Sequence, residues 1–475
     1  MRLLIVSNRL PFTVVEKGRK LEFRETTGGL VSGLSAYLDS LRGLPLARTE
    51  HLWIGWPGVS IRKSMVDKLE HQALDSFRAF PVCLAEETME KFYHGFCNKT
   101  IWPLFHYFPS YAAYDESHWA QYKIVNQMFC DAVMEIMQPD DLVWIHDYHL
   151  MLLPKMLKDR VSHASVGFFL HIPFPSYEIC RLIPTEWRTE ILKGLLGADL
   201  LGFHLPDYVQ HFFRTASRFL ELKRTRNSIT IADHKTIVKA FPMGIDFEKY
   251  HRAGMSPEMQ QDRDALKKGL ENSKTILSVD RLDYSKGVIN RLEGYELFLE
   301  QNPVWHRKVV FTLIVVPSRI GVDHYQETKI RIDELVGRIN GQFGGTGWVP
   351  ILYQYRFLPF HPLVALYTAS DVALVTPLRD GMNLVAKEYV ASRTDHTGVL
   401  ILSEMAGAVR ELKEAIIINP NNNQNIADAL KQALEMPLHE QRRRNRVMQA
   451  RLRRNTVVRW AQNFLETLQD TKSMQ

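Results

Sequence analysis

Short runs of apolar residues punctuate this chain, each closed by a turn rich in Gly, Pro, Asp or Asn and followed by a segment with helical spacing of apolar positions. The runs are continuous. A strand with one wet face would alternate apolar and polar side chains, so continuity points to strands covered on both faces, as in parallel sheets flanked by helices. In the first half the predicted strands are residues 2–7 (RLLIVS), 51–56 (HLWIGW), 141–146 (DLVWIH), 165–171 (SVGFFLH) and 199–204 (DLLGFH). The clearest helices between them are 30–43, 117–137 and 208–222. After TIVKAFPMGID (236–246) and a polar helical stretch the pattern restarts, with strands at 275–280, 309–317, 351–356, 371–377 and 398–403.

A chain of 475 residues, 45% of them hydrophobic, is longer than one core sustains. The restart places a boundary near Gly244, dividing residues 1–243 from 244–455, and a last helical segment at 457–468 can pack on either part. No short-period repeat or low-complexity linker interrupts this plan. The four cysteines (Cys83, Cys97, Cys130, Cys180) are scattered without CxxC spacing, which suits reduced thiols and a cytoplasmic location. The opening MRLLIVSNRL is too short a run for a secretory leader, and no stretch reaches the roughly 18 apolar residues of a membrane span. A soluble protein without membrane attachment is expected. The net charge of +6 is concentrated at residues 442–455, which hold seven arginines and no acid. That run reads either as a solvated helix face or as a patch for RNA, anionic lipid or an acidic partner. It lacks aromatics for base stacking, so no nucleic-acid partner is expected.

Ligands of open parallel sheets bind beyond the carboxyl ends of the strands, and here those positions are polar. The first strand runs into Ser7-Asn8-Arg9, and the first helix is preceded by Thr27-Gly28-Gly29. Two glycines before a helix admit a phosphate or sugar close to backbone N–H groups, but they also make an ordinary tight turn, and GxGxxG spacing is absent. His146-Asp147-Tyr148-His149 and His171-Ile172-Pro173 follow two further strands. Imidazoles and a carboxylate at neighbouring strand ends can orient sugar hydroxyls; they can also be metal ligands, or polar turn residues satisfied by backbone. In the second half, Arg281 and Lys286 lie five apart in a strand-to-helix loop and can clamp two oxygens of a pyrophosphate, although no Walker pattern is present. Arg319 follows the next strand. The run from Pro377 to Glu388 combines a strand end, an Asp380-Gly381 turn and a helix start at Leu384-Val385, whose amides suit a phosphate or sugar. Glu388, a turn further on, can accept from both ribose hydroxyls or be a plain surface glutamate.

Together these motifs resemble the trehalose-6-phosphate synthases, the retaining glucosyltransferases of glycosyltransferase family 20. The resemblance rests on SNRLP, Gly28-Gly29, LWIGWPG, IWPLFHY, WIHDYHL, GFFLHIPFP, DRLDYSKG, GRINGQFG and TPLRDGMNLVAKEYV, and spans nearly the whole chain. It implies an α/β fold of the GT-B kind: two facing Rossmann-like domains with parallel sheets and a deep cleft, the tail 456–475 returning to the N-terminal domain. It implies UDP-glucose as donor, glucose 6-phosphate as acceptor, no metal or other cofactor, and a front-face displacement. Carried over by motif, the donor falls to Gly28, Gly29, Arg281, Lys286, Phe357 (backbone), Asp380, Leu384, Val385 and Glu388. The acceptor falls to Arg9, Tyr93, Trp102, Asp147 and Arg319, and His171 touches the transferred glucose. Arg281, Lys286, His171 and Asp147 are the expected catalytic set, with Arg9 and Arg319 converging on the acceptor phosphate when the cleft closes.

Two departures matter. The segment between Arg9 and Gly28 is long and charged (EKGRKLEFRE), and is expected to be a mobile loop that orders over the substrate. No strand ends in the DxDx[TV] pattern of a haloacid-type phosphatase, so a separate trehalose-6-phosphate phosphatase is expected downstream; a homo-oligomer is compatible with the sequence. The rival readings are a glucosylglycerol-phosphate synthase, which Tyr93 and Trp102 argue against because aromatic walls suit a pyranose, a sugar-phosphate sensor without catalysis, and an RNA-binding protein using the arginine run.

Overall fold

The computed structural model describes residues 2–18, 20–25, 29–41, 50–270, 273–319 and 323–473. It divides into one unit of Met1–Pro242 with Val457–Gln475 and a second of Met243–Thr456.

In unit 1 the predicted runs form β1 (Leu3–Arg9), β4 (His51–Trp56), β6 (Leu142–His146), β7 (Ser165–Phe169) and β8 (Leu200–Phe203). Three shorter or more polar segments add β5 (Ala79–Pro81), β9 (Ser228–Ile231) and β10 (His234–Ala240). The sheet order is β5-β4-β1-β6-β7-β8-β10-β9, parallel throughout except for β9 against β10. β6, β7 and β8 are buried at every position, which is why their sequences show no alternation. In unit 2, β11 (Lys274–Arg281), β12 (Val309–Val316), β13 (Ile351–Tyr355), β14 (Val372–Val375), β15 (Val399–Ser403) and β16 (Ile416–Ile418) form an all-parallel sheet in the order β13-β12-β11-β14-β15-β16.

The charged segment after Arg9 corrects the expectation of a mobile loop. Phe12–Lys17 (β2) and Lys20–Glu25 (β3) pair antiparallel as a hairpin. The alternation that builds it was there to be read: Phe12 and Val14 are buried while Thr13 and Val15 are less so, and Phe12 and Phe23 close on Phe77 at 4.6 and 5.0 Å.

The tail, free on sequence pattern to join either part, belongs to unit 1. On the helix Val457–Ser473, Trp460 packs tilted against Trp144 and Phe464 stacks on it, with ring centroids 5.2 and 4.9 Å apart. Gly167 on β7 and Gly202 on β8 make room for it, since a Cβ at either would lie 2.8 or 2.7 Å from the Phe464 ring. The arginine run forms most of the helix Leu438–Arg454, whose buried positions Asn445, Met448, Gln449 and Leu452 follow one helical stripe. Arg443 and Arg444 pair with Glu440, Arg451 with Glu414 and Arg453 with Glu248. This is a solvated helix face met by acids of its own unit.

Because Phe464 fills space that two glycines vacate, Phe464→Ala is expected to lower the unfolding free energy by about 3–5 kcal/mol in a denaturant titration. A loss below about 1 kcal/mol would show that this helix is not part of the core.

Candidate active site

Among the described residues, the parallel strands of each large sheet have one switch point, where the chain turns from one direction across the sheet to the other. In unit 1 it lies between β1, from which the chain moves outward to β4 and β5, and β6, from which it moves the other way. In unit 2 it lies between β11 and β14. Loops leaving adjacent strands at such a point diverge and leave a crevice at the carboxyl edge, the usual ligand position in open α/β sheets. The polar motifs read from the sequence sit on these loops: Ser7-Asn8-Arg9 after β1, His146–His149 after β6, Arg281–Lys286 after β11 and 376–383 after β14.

In unit 1, Arg9 ends β1 with its guanidinium 4.4 Å from the centre of the Trp56 ring, and burial pulls its pKa below the usual arginine value, with Tyr93 opposing. Asp147 follows β6 with φ +74°, a strained conformation for a residue with a side chain. Its Oδ1 accepts the His171 backbone N–H at 3.2 Å, so the ends of β6 and β7 are tied together. The turn after Asp147 is held from the helix Glu116–Ile136. Tyr122 donates to the Tyr148 carbonyl and accepts from Met151 N–H, while Asn126 donates to the His149 carbonyl and accepts from Leu152 N–H. Each side chain thus serves one donor and one acceptor of a backbone with no ladder partner.

Tyr93 and Trp102 come from an uncommon element. Glu90–Ile101 is π-helical, a conformation found mostly as single turns near functional sites, and it runs into the short α-helix Trp102–Phe105. Tyr93 stacks on His149 at 5.7 Å and 10°. Trp102 is only 5% exposed, stacked on His106 at 4.0 Å, so Tyr93 is the more accessible ring of the two. His171 is partly exposed, with its Nε2 3.1 Å from His146 Nδ1.

In unit 2 the organising residue is Arg291, fully buried on the helix Val288–Gln301. Its guanidinium donates to Asp280 Oδ2 at 2.8 Å, Thr376 Oγ1 at 3.0 Å, the Lys286 carbonyl at 3.0 Å and Ser278 Oγ. Burial raises the Asp280 carboxyl pKa even so, outweighing the attraction of Arg291. Gly287 ends the turn Tyr284–Lys286 at φ +66°, where a Cβ would stand 2.5 Å from the Thr376 carbonyl. The two loops are therefore in contact, and Leu378 N–H donates to the Ser285 carbonyl at 2.8 Å.

On this frame Lys286 Nζ meets Asp380 Oδ2 at 2.6 Å, and Asn383 donates to the same oxygen at 3.1 Å. Asn383, at φ +76°, caps the helix Leu384–Ser392 by accepting from Ala386 N–H, so Leu384 and Val385 supply first-turn amides with no intrahelical acceptor. Glu388 is partly buried rather than a surface glutamate. It accepts from Tyr367 Oη at 3.1 Å, and burial raises its pKa. Arg281 is exposed at the end of β11. Arg319, at φ +49°, pairs with Asp283 at 3.0 Å and with Tyr325 Oη, so it is bound inside unit 2 beside the same loop. Phe357 is 50% exposed, two residues past β13. Gly29 begins the helix Gly29–Leu41, and Gly28 lies outside the described residues.

Reading the sequence alone missed Arg291, Asn383, Tyr122, Asn126 and His146 as supports. Arg291 left a signal, because it takes a core position on a helix whose apolar stripe is Val288, Leu292 and Tyr295. Among the described residues no group of three or more His, Cys, Asp or Glu is placed to hold a metal ion.

The sequence profile of glycosyltransferase family 20 matches residues 1–470. A bifunctional trehalose-6-phosphate synthase/phosphatase of Thermoproteus tenax is 48% identical over 100% of this chain, which spans 64% of that relative's length. The crystal structure of an α,α-trehalose-phosphate synthase (UDP-forming) from Burkholderia xenovorans in complex with glucose-6-phosphate is 32% identical, with a TM-score of 0.86 over 99% of this chain and 100% of that one. The Escherichia coli trehalose-6-phosphate protein bound with UDP-2-fluoro glucose is 34% identical, with a TM-score of 0.87 over 98% and 99%.

Arg291 satisfies two loops at once, so Arg291→Met leaves Asp280 buried without its counter-charge and is expected to cost about 3–5 kcal/mol of stability. The pair Asp280→Asn with Arg291→Met is expected to be less destabilised than Arg291→Met alone in the same denaturant titration. A double variant at least as unstable would contradict the unpaired-charge explanation.

Proposed function

The chain belongs to glycosyltransferase family 20, and from that footing we propose that it is an α,α-trehalose-phosphate synthase (UDP-forming), moving the glucosyl unit of UDP-glucose onto glucose 6-phosphate to give α,α-trehalose 6-phosphate and UDP. The observation that carries the reading is the carboxyl edge of the second sheet. There Arg281, the Lys286–Asp380 pair and the amides of Leu384 and Val385 stand around one topological switch point, an array suited to a sugar linked to a diphosphate.

Arg281 and Lys286 hold the diphosphate, with Gly28 and Gly29 as further donor contacts. The Phe357 backbone lies at the base, Glu388 accepts from the ribose hydroxyls and Asp380 orients the glucosyl ring. Arg9, Arg319, Tyr93, Trp102 and Asp147 bind the acceptor sugar phosphate, and His171 faces the transferred glucose. Arg319 exchanges Asp283 for phosphate when it does so. The sugar ring packs mainly on Tyr93, the more accessible aromatic, which favours a pyranose over a three-carbon acceptor.

The bond between the anomeric carbon and the β-phosphate oxygen breaks with oxocarbenium character. The acceptor's O1 forms the new bond on the same face, which preserves the configuration, and its proton passes to the departing phosphate oxygen. Charge gathers on that phosphate, where Arg281 and Lys286 stabilise it. No metal or other cofactor takes part in this scheme. Asp262 and Asp264 lie within the helix Pro257–Gly269 rather than at a strand end, so the proposed product of this chain is the phosphorylated disaccharide, the substrate of a trehalose-6-phosphate phosphatase. Among the described residues no helix is long and apolar enough to cross a membrane, and the proposed location of the reaction is the cytoplasm.

Arg281→Ala is expected to lower kcat for UDP release by about 100- to 1,000-fold with unchanged circular dichroism, the size of effect seen when one donor to a developing anion is removed. Unchanged turnover in a folded variant would overturn its role. Exhaustive treatment with EDTA is expected to leave the rate as it was; a loss restored by a divalent cation would overturn the metal-free scheme.

A further inference from the structure

Three imidazoles stand beyond successive strand ends in unit 1: His146 at the end of β6, His171 after β7 and His204 after β8. The His171 ring lies 5.3 Å from His146 and 5.5 Å from His204. His146 and His204 are buried, while His171 is partly exposed. Aromatic rings pack around them, with Trp144 4.5 Å from His146 and Phe169 and Trp460 4.7 and 5.9 Å from His171. Burial lowers His146 to about 3, and burial with the two neighbouring imidazoles holds His171 well below the usual histidine value. Both rings are neutral near pH 7.

A neutral imidazole has one N–H and one bare nitrogen, and its partners decide which is which. His146 Nδ1 and His171 Nε2 are 3.1 Å apart, so a single proton is shared along that line. His146 Nε2 is buried with no hydrogen-bond partner among the described residues. A proton there would be a buried donor without an acceptor, a rarer and costlier arrangement than a bare acceptor nitrogen. The His146 proton therefore sits on Nδ1 and is donated to His171 Nε2. His171 must then carry its own proton on Nδ1.

We propose that His146 is a positioning residue for glucosyl transfer: its Nδ1–H fixes the orientation and tautomer of His171, which presents Nδ1–H as a hydrogen-bond donor to a hydroxyl of the transferred sugar. The proposal rests on the glucosyltransferase reading for its substrate, but the tautomer is a property of the free protein and is measured apart from activity.

The test combines NMR of the ligand-free chain with selectively ¹⁵N-labelled histidine, assigned by loss of signals in His171→Gln, and kinetics of two variants. His171 is expected to show a protonated Nδ1 and a bare Nε2. His146→Phe keeps a ring and removes the donor; it is expected to lower kcat about 10- to 100-fold, the usual scale for losing an outer hydrogen-bond partner, with little change in KM for glucose 6-phosphate. His146→Asn, whose amide N–H falls near the position of Nδ1, is expected to recover most of that loss. A protonated His171 Nε2, a His146→Phe variant with full kcat, or equal loss in both variants overturns the proposal. If His146→Phe does not fold, the tautomer in the unaltered chain decides. If the unaltered chain transfers no glucose but shows the expected tautomer, the glucosyltransferase reading fails and the hydrogen-bond assignment stands.

Discussion

A fully buried guanidinium is tolerable only when every donor has somewhere to go, and Arg291 meets that demand by binding a strand, a turn and a neighbouring strand end at once. Asp280 lies on β11, the Lys286 carbonyl in the turn beyond it, and Thr376 just past β14. The two loops at the switch point of unit 2 are consequently one rigid piece rather than two independent ones. Lys286 and Asp380 face each other because their backbones are fixed from beneath, and the cap by Asn383 aims the next helix from the same place. Arg319 extends the pattern through Asp283, whose other oxygen accepts from Ser285 N–H in the same turn. The proposed stabilisation of a leaving phosphate needs preorganised charges, and buried ion pairs hold the charged groups of this edge in place.

Unit 1 reaches the same end with neutral groups. Tyr122 and Asn126 satisfy the turn that follows Asp147, the strained φ of Asp147 persists because both sides of that turn are bound, and imidazoles are kept uncharged by aromatic packing. Arg9, resting on Trp56, and Asp147, tied to His171 N–H, are the charged groups beside them. A sugar with many hydroxyls needs directed donors and acceptors more than charge, with a cation reserved for its phosphate. A diphosphate needs the reverse. The contrast between the two edges matches the chemistry of the two proposed substrates.

The sheets were legible because burial on both faces erases alternation, and most of the long apolar runs became parallel strands. The switch points were not legible, since strand order depends on which strands pair and only the strands themselves leave a local pattern. The hairpin Phe12–Glu25 is obscured in the sequence because its lysines and glutamates mask the period-two placement of Phe12 and Val14. The π-helical segment holding Tyr93 has no simple signature, as its hydrophobic spacing fits neither a strand nor an α-helix. Candidate site residues stand out in the sequence where they lie at or just past strand ends, as Arg9, Asp147 and Arg281 do. Their supports were hidden: Tyr122 and Asn126 are 25 and 21 positions before Asp147 on a helix that reads as ordinary core.

The most direct measurement is nucleotide release by the purified protein, with UDP-, ADP- and GDP-glucose each offered with glucose 6-phosphate or glycerol 3-phosphate, and the product's linkage determined by NMR. The expected result is UDP from UDP-glucose with glucose 6-phosphate, and a phosphorylated disaccharide joined α,α-1,1. Release only with glycerol 3-phosphate would contradict the acceptor assigned to Tyr93 and Arg9, and no release from any pair would contradict the enzyme itself.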